Sequence, residues 1–198
     1  MKLFSTLIIA LSLSFSTVAQ SHKTEITKHA QTYFNYITTQ NFDGVLDYMY
    51  PKVFDLAPKD QMKAAMQQMF NSPEMKIEFL SNTISKVSEE KIVDDITYAA
   101  VFYNSKMKMT FVSEMDKEEA DKIGFLDFMK GTMETQFGEG NVESNLEAMS
   151  LIVTMDSNMF AIKDPTVTDW KFIGNDDAMK QLVNTIVPKA VREELIKN

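Results

Sequence analysis

From Met75 onward the apolar residues of this chain fall two apart, where before they fall three and four apart, and that change of period constrains the fold most. Met75, Ile77 and Phe79 alternate with Lys76 and Glu78, and Val101, Tyr103, Met107, Met109 and Phe111 stand against Lys106, Lys108 and Thr110. Residues two apart share one face of a strand, so both runs predict strands with one apolar face. The spacing predicts a long hairpin whose second strand covers 96–111, with its turn either at 88–91 or at Asp94-Asp95. Ile96, Tyr98, Ala100 and Phe102 make the alternate face apolar as well. Two apolar faces need two covers, one of helices and one of a partner or another element, so a homodimer through the sheet is one expectation.

Upstream the period is helical. Thr24 can cap a helix reaching about Thr39, with Ile26, Ala30, Tyr33 and Ile37 on its stripe. Asp43 then caps a short helix carrying Val45, Leu46 and Met49, which Pro51 closes. Val53-Phe54-Asp55-Leu56 reads as an edge strand. After Pro58, residues Met62, Ala65, Met66, Met69 and Phe70 form the expected buried face of a third helix. Downstream of the hairpin, Asp116 and Glu119 suggest a capping box opening a helix that ends before Gly138, with Ile123, Leu126, Met129, Met133 and Phe137 inward. Gly124 and Gly131 lie on one face of it, each costing about 1 kcal/mol against Ala, which implies a closely packed or a mobile segment. Strands follow at about 148–155 and 159–163, joined by a turn at Asp156-Ser157-Asn158, then at 168–173 with the only Trp. Asp176 or Asp177 caps a terminal helix whose last piece starts at Pro188. The order predicts an α+β fold over residues 21–198: N-terminal helices on a curved, mainly antiparallel sheet, with an inserted helix and a C-terminal helix.

The leading segment is an address. Lys2, an apolar stretch over residues 3–15, and the small residues Thr17 and Ala19 match a secretory signal cleaved near Ala19/Gln20. Its longest unbroken apolar run, residues 7–11, is far short of a membrane span, and no Cys is present to carry a lipid. A periplasmic or secreted product is expected. The net charge of −8 becomes one unit more negative when Lys2 leaves with the segment. That acidity disfavours nucleic acid and anionic lipid as partners, since both require clustered Lys and Arg. The absence of Cys excludes thiol nucleophiles, disulfides and Cys-based zinc sites.

Tyr33-Phe34-Asn35-Tyr36, Gly44 to Pro51, and the closing Asp164-Pro165 to Asp169-Trp170-Lys171-Phe172-Ile173, set in an order of helices before a hairpin-rich sheet, resemble the nuclear transport factor 2-like superfamily, the cystatin-like cone. Tyr50 to Phe54 and Met159 to Asp164 are similar to a group of exported proteins of Bacteroidota. That likeness implies fold and origin only. The enzymes of the superfamily place carboxylates with a Tyr or Arg inside the cone. Here Pro51-Lys52-Val53 stands where the isomerases carry their Asp, and Asp55 is out of register.

Tyrosines are the polar groups best suited to an apolar cavity, because a phenol can orient a ligand carbonyl, and Tyr33 and Tyr103 fall on faces expected inward. Six Tyr and fifteen Met enrich the chain in adaptable lining residues. Met62, Met66 and Met69 share a helix face, and Met107 and Met109 share a strand face. Core packing explains such stripes, an adaptable ligand pocket is the functional alternative, and Cu(I) ligation is a third. No calcium-loop, zincin, nucleophile-elbow, P-loop or dinucleotide pattern is present, and His22 and His29 lack metal spacing. The residues therefore point to an exported protein binding a small apolar ligand or a protein partner without catalysis, through Tyr33, Met62, Met66, Tyr103, Met107 and Met109, with no metal or cofactor. An isomerase or hydrolase using Asp55 with Tyr33 is the alternative, and Met-based Cu(I) binding the weaker one.

Overall fold

In the computed structural model, residues 22–197 are described, and the expected export signal and its cleavage point lie outside them. Helix α1 covers 22–38. Its stripe Ile26, Ala30 and Phe34 is buried, as a repeat of four requires. Helix α2 (Phe42–Tyr48) is capped by Asn41, whose side chain accepts from the Gly44 N–H, so the cap stands two residues before the expected Asp43. Helix α3 (Lys59–Phe70) begins after Pro58 as the sequence predicts, yet none of its residues is fully buried.

The strands are β1 (Met75–Val87), β2 (Lys91–Val93), β3 (Ile96–Phe111), β4 (Val142–Asn145), β5 (Ser150–Lys163) and β6 (Lys171–Gly174). They form one antiparallel six-stranded sheet in the order β1-β3-β5-β4, with β2 beside β3 and β6 beside β5. Long β3 and β5 are its spine, and each outer edge is assembled from two pieces. On the β1 side the chain leaves the edge at Ser88, which exchanges backbone and side-chain hydrogen bonds with Ala100, and returns as β2. The hairpin turn is Asp94-Asp95, both residues in the left-handed region that a two-residue hairpin demands. Register shifts in β1 leave Leu80 and Ser85 without partners, and bulges of this kind bend a strand and curve the sheet. The curved sheet remains unclosed.

Three apolar clusters cover the sheet. On the inner face, Ala99, Val101, Met159, Ala161 and Phe172 meet Ile26, Ala30 and Phe34 of α1. Farther along that face, Met109, Phe111, Leu151 and Val153 meet Leu126 of helix α4 (Glu119–Phe137). On the outer face, Tyr98, Ala100, Phe160 and Ile162 meet Val183 of α5 (Lys180–Ile186) and Val191 and Leu195 of α6 (Lys189–Leu195). The face expected to receive a second copy is thus covered by this chain's own C-terminal helices. Beyond residue 103 the outward positions are Asn104, Lys106 and Lys108, and there the sheet has one apolar face only.

Three local expectations are corrected and one strand is added. Residues 53–56 are not a strand, because Met49 and Tyr50 take the place beside Phe172 and Pro51, lacking an N–H, ends the pairing and starts the 3-10 helix Pro51–Asp55. Asp156-Ser157-Asn158 is not a turn. Each is paired to β3, opposite Asn104, Tyr103 and Phe102, and a long partner strand overrides weak turn preference. Strand β4 went unread because only Val142 of its four residues is apolar and buried. Helix α4 starts at Glu119 with no side-chain cap, and Phe125, set edge-on to Phe111 at 4.9 Å, packs inward while Ile123 is exposed.

Candidate functional site

A cavity of about 160 Å³ lies where α1, α2, α3 and β1 meet, lined by Tyr33 and Ile37, Phe42 and Val45, Met66, Met69 and Phe70, and Phe79. Each helix delivers its lining residues at spacings of three and four, the spacing that stacks side chains on one helix face. Phe42 and Phe70 are 5.4 Å apart between ring centroids and Phe70 and Phe79 are 6.1 Å apart, so a chain of tilted rings forms one wall. Tyr33 closes the opposite wall, stacked on Phe172 at 5.6 Å.

The α3 side of the cavity is the thin one. Only Met62, Met66 and Phe70 of α3 pack against the clusters, and Met69 is 46% exposed. Two ion pairs, Lys59 to Asp47 at 2.6 Å and Lys63 to Asp43 at 2.7 Å, tie α3 to α2. Exposed pairs such as these contribute about 1 kcal/mol at most.

Of the residues expected at a ligand site, Tyr33 and Met66 line this cavity. Met107 is the cross-strand partner of lining residue Phe79. Tyr103 stands under α1 with its ring 4.8 Å from Phe34. Met62 packs against the outer-face cluster and Met109 is buried beneath α4. The thioethers thus divide among different cores instead of forming one ligand set. Half of the lining residues not expected at the site are aromatic, Phe42, Phe70 and Phe79; the other three are Ile37, Val45 and Met69.

Burial pushes the Tyr33 hydroxyl well above its usual pKa, and Tyr103 and Asp176 push the same way. Tyr103 is raised by its own burial, opposed by a hydrogen bond with Ser157 and reinforced by Asp176. Both phenols stay protonated at neutral pH and can give or accept a hydrogen bond, but neither supplies a phenolate base. Asp55 is exposed on the 3-10 helix and is not among the residues that line the cavity with Tyr33, so the cavity does not hold the expected carboxylate-tyrosine pair.

Two other polar constellations form across long sequence separations. Asp164 accepts from Tyr50 Oη, Thr166 N and Thr166 Oγ1, and these bonds fix the loop after β5. With its oxygens so engaged it is a structural anchor. His29 Nδ1 lies 3.2 Å from Tyr48 Oη and its Nε2 lies 4.0 Å from Asp169. Among the described residues no group of three acidic, His or Cys side chains could hold a metal ion, and no helix is long and apolar enough to cross a membrane. Compared with models of protein families, with curated proteins and with solved structures, the chain matches none.

Proposed function

We propose that this is an exported protein that holds a small apolar molecule in the cavity beneath α3 and performs no chemistry on it. The observation that carries this reading is the lining itself, which is mostly apolar and whose only side-chain oxygen or nitrogen among the residues named is the Tyr33 hydroxyl. Such a surface favours apolar matter over water, since water needs two or more polar partners to reside in a cavity. The size favours an aromatic ring or a short alkyl chain, because cavities of about 150 Å³ accept benzene. The sparsely packed α3 offers the way in.

Helices preceding a curved antiparallel sheet, with a cavity between them, also support a distant relationship to the nuclear transport factor 2-like cone. The export part of the reading rests on residues 1–20, and N-terminal sequencing of protein from a cell envelope fraction tests it: a start at Gln20 or Ser21 is expected, and retention of Met1 argues against it. Binding is tested by titrating α-methylstyrene, a neutral ring of suitable size, by heteronuclear NMR. Saturable shifts at Ile37, Val45 and Met66, lost in Met66→Lys, are expected; no saturable shift in the wild type overturns the reading.

A further inference from the structure

A second cavity, of about 270 Å³, lies where the start of the 3-10 helix, the β2–β3 turn and the loop after β5 converge. It shares no lining residue with the cavity beneath α3. Pro51, Ile96 and Pro165 give it apolar walls, and three charged side chains line it as well: Lys52, Asp94 and Asp164.

Asp164 is a fixed charge, 8% exposed and held by Tyr50 and Thr166. Its Oδ1 accepts two of those bonds and its Oδ2 only one, and a carboxylate oxygen has lone pairs for two, so an acceptor position is left. Asp94 is placed by its backbone, in the left-handed region at φ 50°. An Asn-Gly pair would make the same turn and bring no charge. The Asp94 carboxylate makes no hydrogen bond or ion pair with the described residues. Lys52 holds its ammonium 5.9 Å from the centre of the Tyr50 ring, and its charge acts on Asp164 without closing an ion pair.

Opposite charges that share a cavity and stay unpaired suit a molecule that carries both. A lone anion would meet two carboxylates and a lone cation would meet Lys52, whereas a zwitterion matches both signs. The volume lies below the roughly 300–1,000 Å³ of pockets for drug-sized ligands, so the occupant is small, and the walls favour an aliphatic body. We infer that this cavity binds a small apolar amino acid as its zwitterion, Asp94 and Asp164 receiving the ammonium group and Lys52 the carboxylate.

The test is a heteronuclear NMR titration of the full chain with leucine, leucinamide and N-acetylleucine at about pH 6, where the free amines are protonated. Leucine should give saturable shifts at the Lys52, Asp94, Ile96 and Thr166 amides. Leucinamide, lacking the carboxylate, and N-acetylleucine, lacking the ammonium group, should each bind about 5-fold more weakly, the scale of one partly exposed charge contact. Lys52→Met should weaken leucine about 5-fold and leave leucinamide within twofold, while Asp94→Asn should weaken both. Unshifted Ile37 and Val45 signals report that each variant is folded. No saturable shift with leucine overturns the assignment. Leucinamide binding as tightly as leucine, or Lys52→Met weakening both alike, also overturns it. Binding of α-methylstyrene beneath α3 is a separate result, so the two sites stand or fall independently.

Discussion

The hydroxyl of Tyr50 donates to the carboxylate of Asp164 at 2.5 Å, joining the end of α2 to the loop after β5. Tyr50 is 2% exposed and Asp164 is 8% exposed, so the bond is sheltered from water. Burial by itself raises the Asp164 pKa, but the hydrogen bonds from Thr166 and Tyr50 and the Lys52 charge outweigh it and hold the carboxyl below its usual value. A carboxyl lowered by folding stabilises the fold fully above its unfolded value of 3.8 and loses that contribution as pH falls through the lower folded value. Tyr50→Phe should therefore cost about 1.5–3 kcal/mol at pH 7, as for a hydrogen bond to a charged group. It should also narrow the stability gap between pH 7 and pH 3; urea denaturation at both pH values measures it, and an unchanged gap would dissociate the pair from acid stability.

Gly124 and Gly131 stand on the outer side of α4, where an added Cβ meets nothing within 4 Å. Among the described residues, nothing packs closely against either of these two mid-helix glycines. Gly124→Ala and Gly131→Ala should each stabilise by about 0.5–1 kcal/mol through helix propensity. Thermal denaturation of the single and double variants checks this, and a lower midpoint would refute it. Phe128 lies between them and is 71% exposed, so Phe128→Ser should leave the midpoint nearly unchanged.

Gly44 is the opposite case. A Cβ there would fall 2.6 Å from Tyr36 Cδ2, because the Tyr36 ring lies flat on the α2 backbone. Gly44→Ala must displace the ring and should destabilise by about 1–3 kcal/mol, the usual cost of overpacking. Gly44→Ala combined with Tyr36→Ala should recover part of the loss, and full additivity of the two would show that the contact is not the cause.

Asn82→Leu should raise the stability of the ligand-free protein by about 1 kcal/mol, since it removes a buried donor without a partner. Chemical denaturation without added ligand reads this directly. Destabilisation would mean that the amide is satisfied in solution by ordered water.

Much of the architecture was legible because periodicity is a local property. The stripe Ile26, Ala30, Tyr33 and Ile37 placed a helix, and the alternation from Lys106 to Phe111 placed a strand with one wet face. Tyr33 and Met66 were readable as inward-facing residues on the same grounds. The cavity was less legible: Phe42 reaches it from the first turn of α2, where no stripe is long enough to show a face.

The sequence by itself determined the main helices and the long strands, the α+β order and the acidic, cysteine-free composition, because each follows from residues near one another in the chain. Only the tertiary structure decided which face Asn82 takes. Met75, Ile77 and Phe79 alternate inward, and simple continuation would place Ser81 and Thr83 inside. The unpaired Leu80 shifts the phase by one residue, so Asn82 and Ile84 point inward opposite Ser105 and Tyr103, and unpaired Ser85 shifts it again to bring Val87 opposite Val101. A bulge is a relation between two strands. Its position depends on which residues of β3 the edge strand must match, and that matching exists only once residues far apart in the chain have been paired.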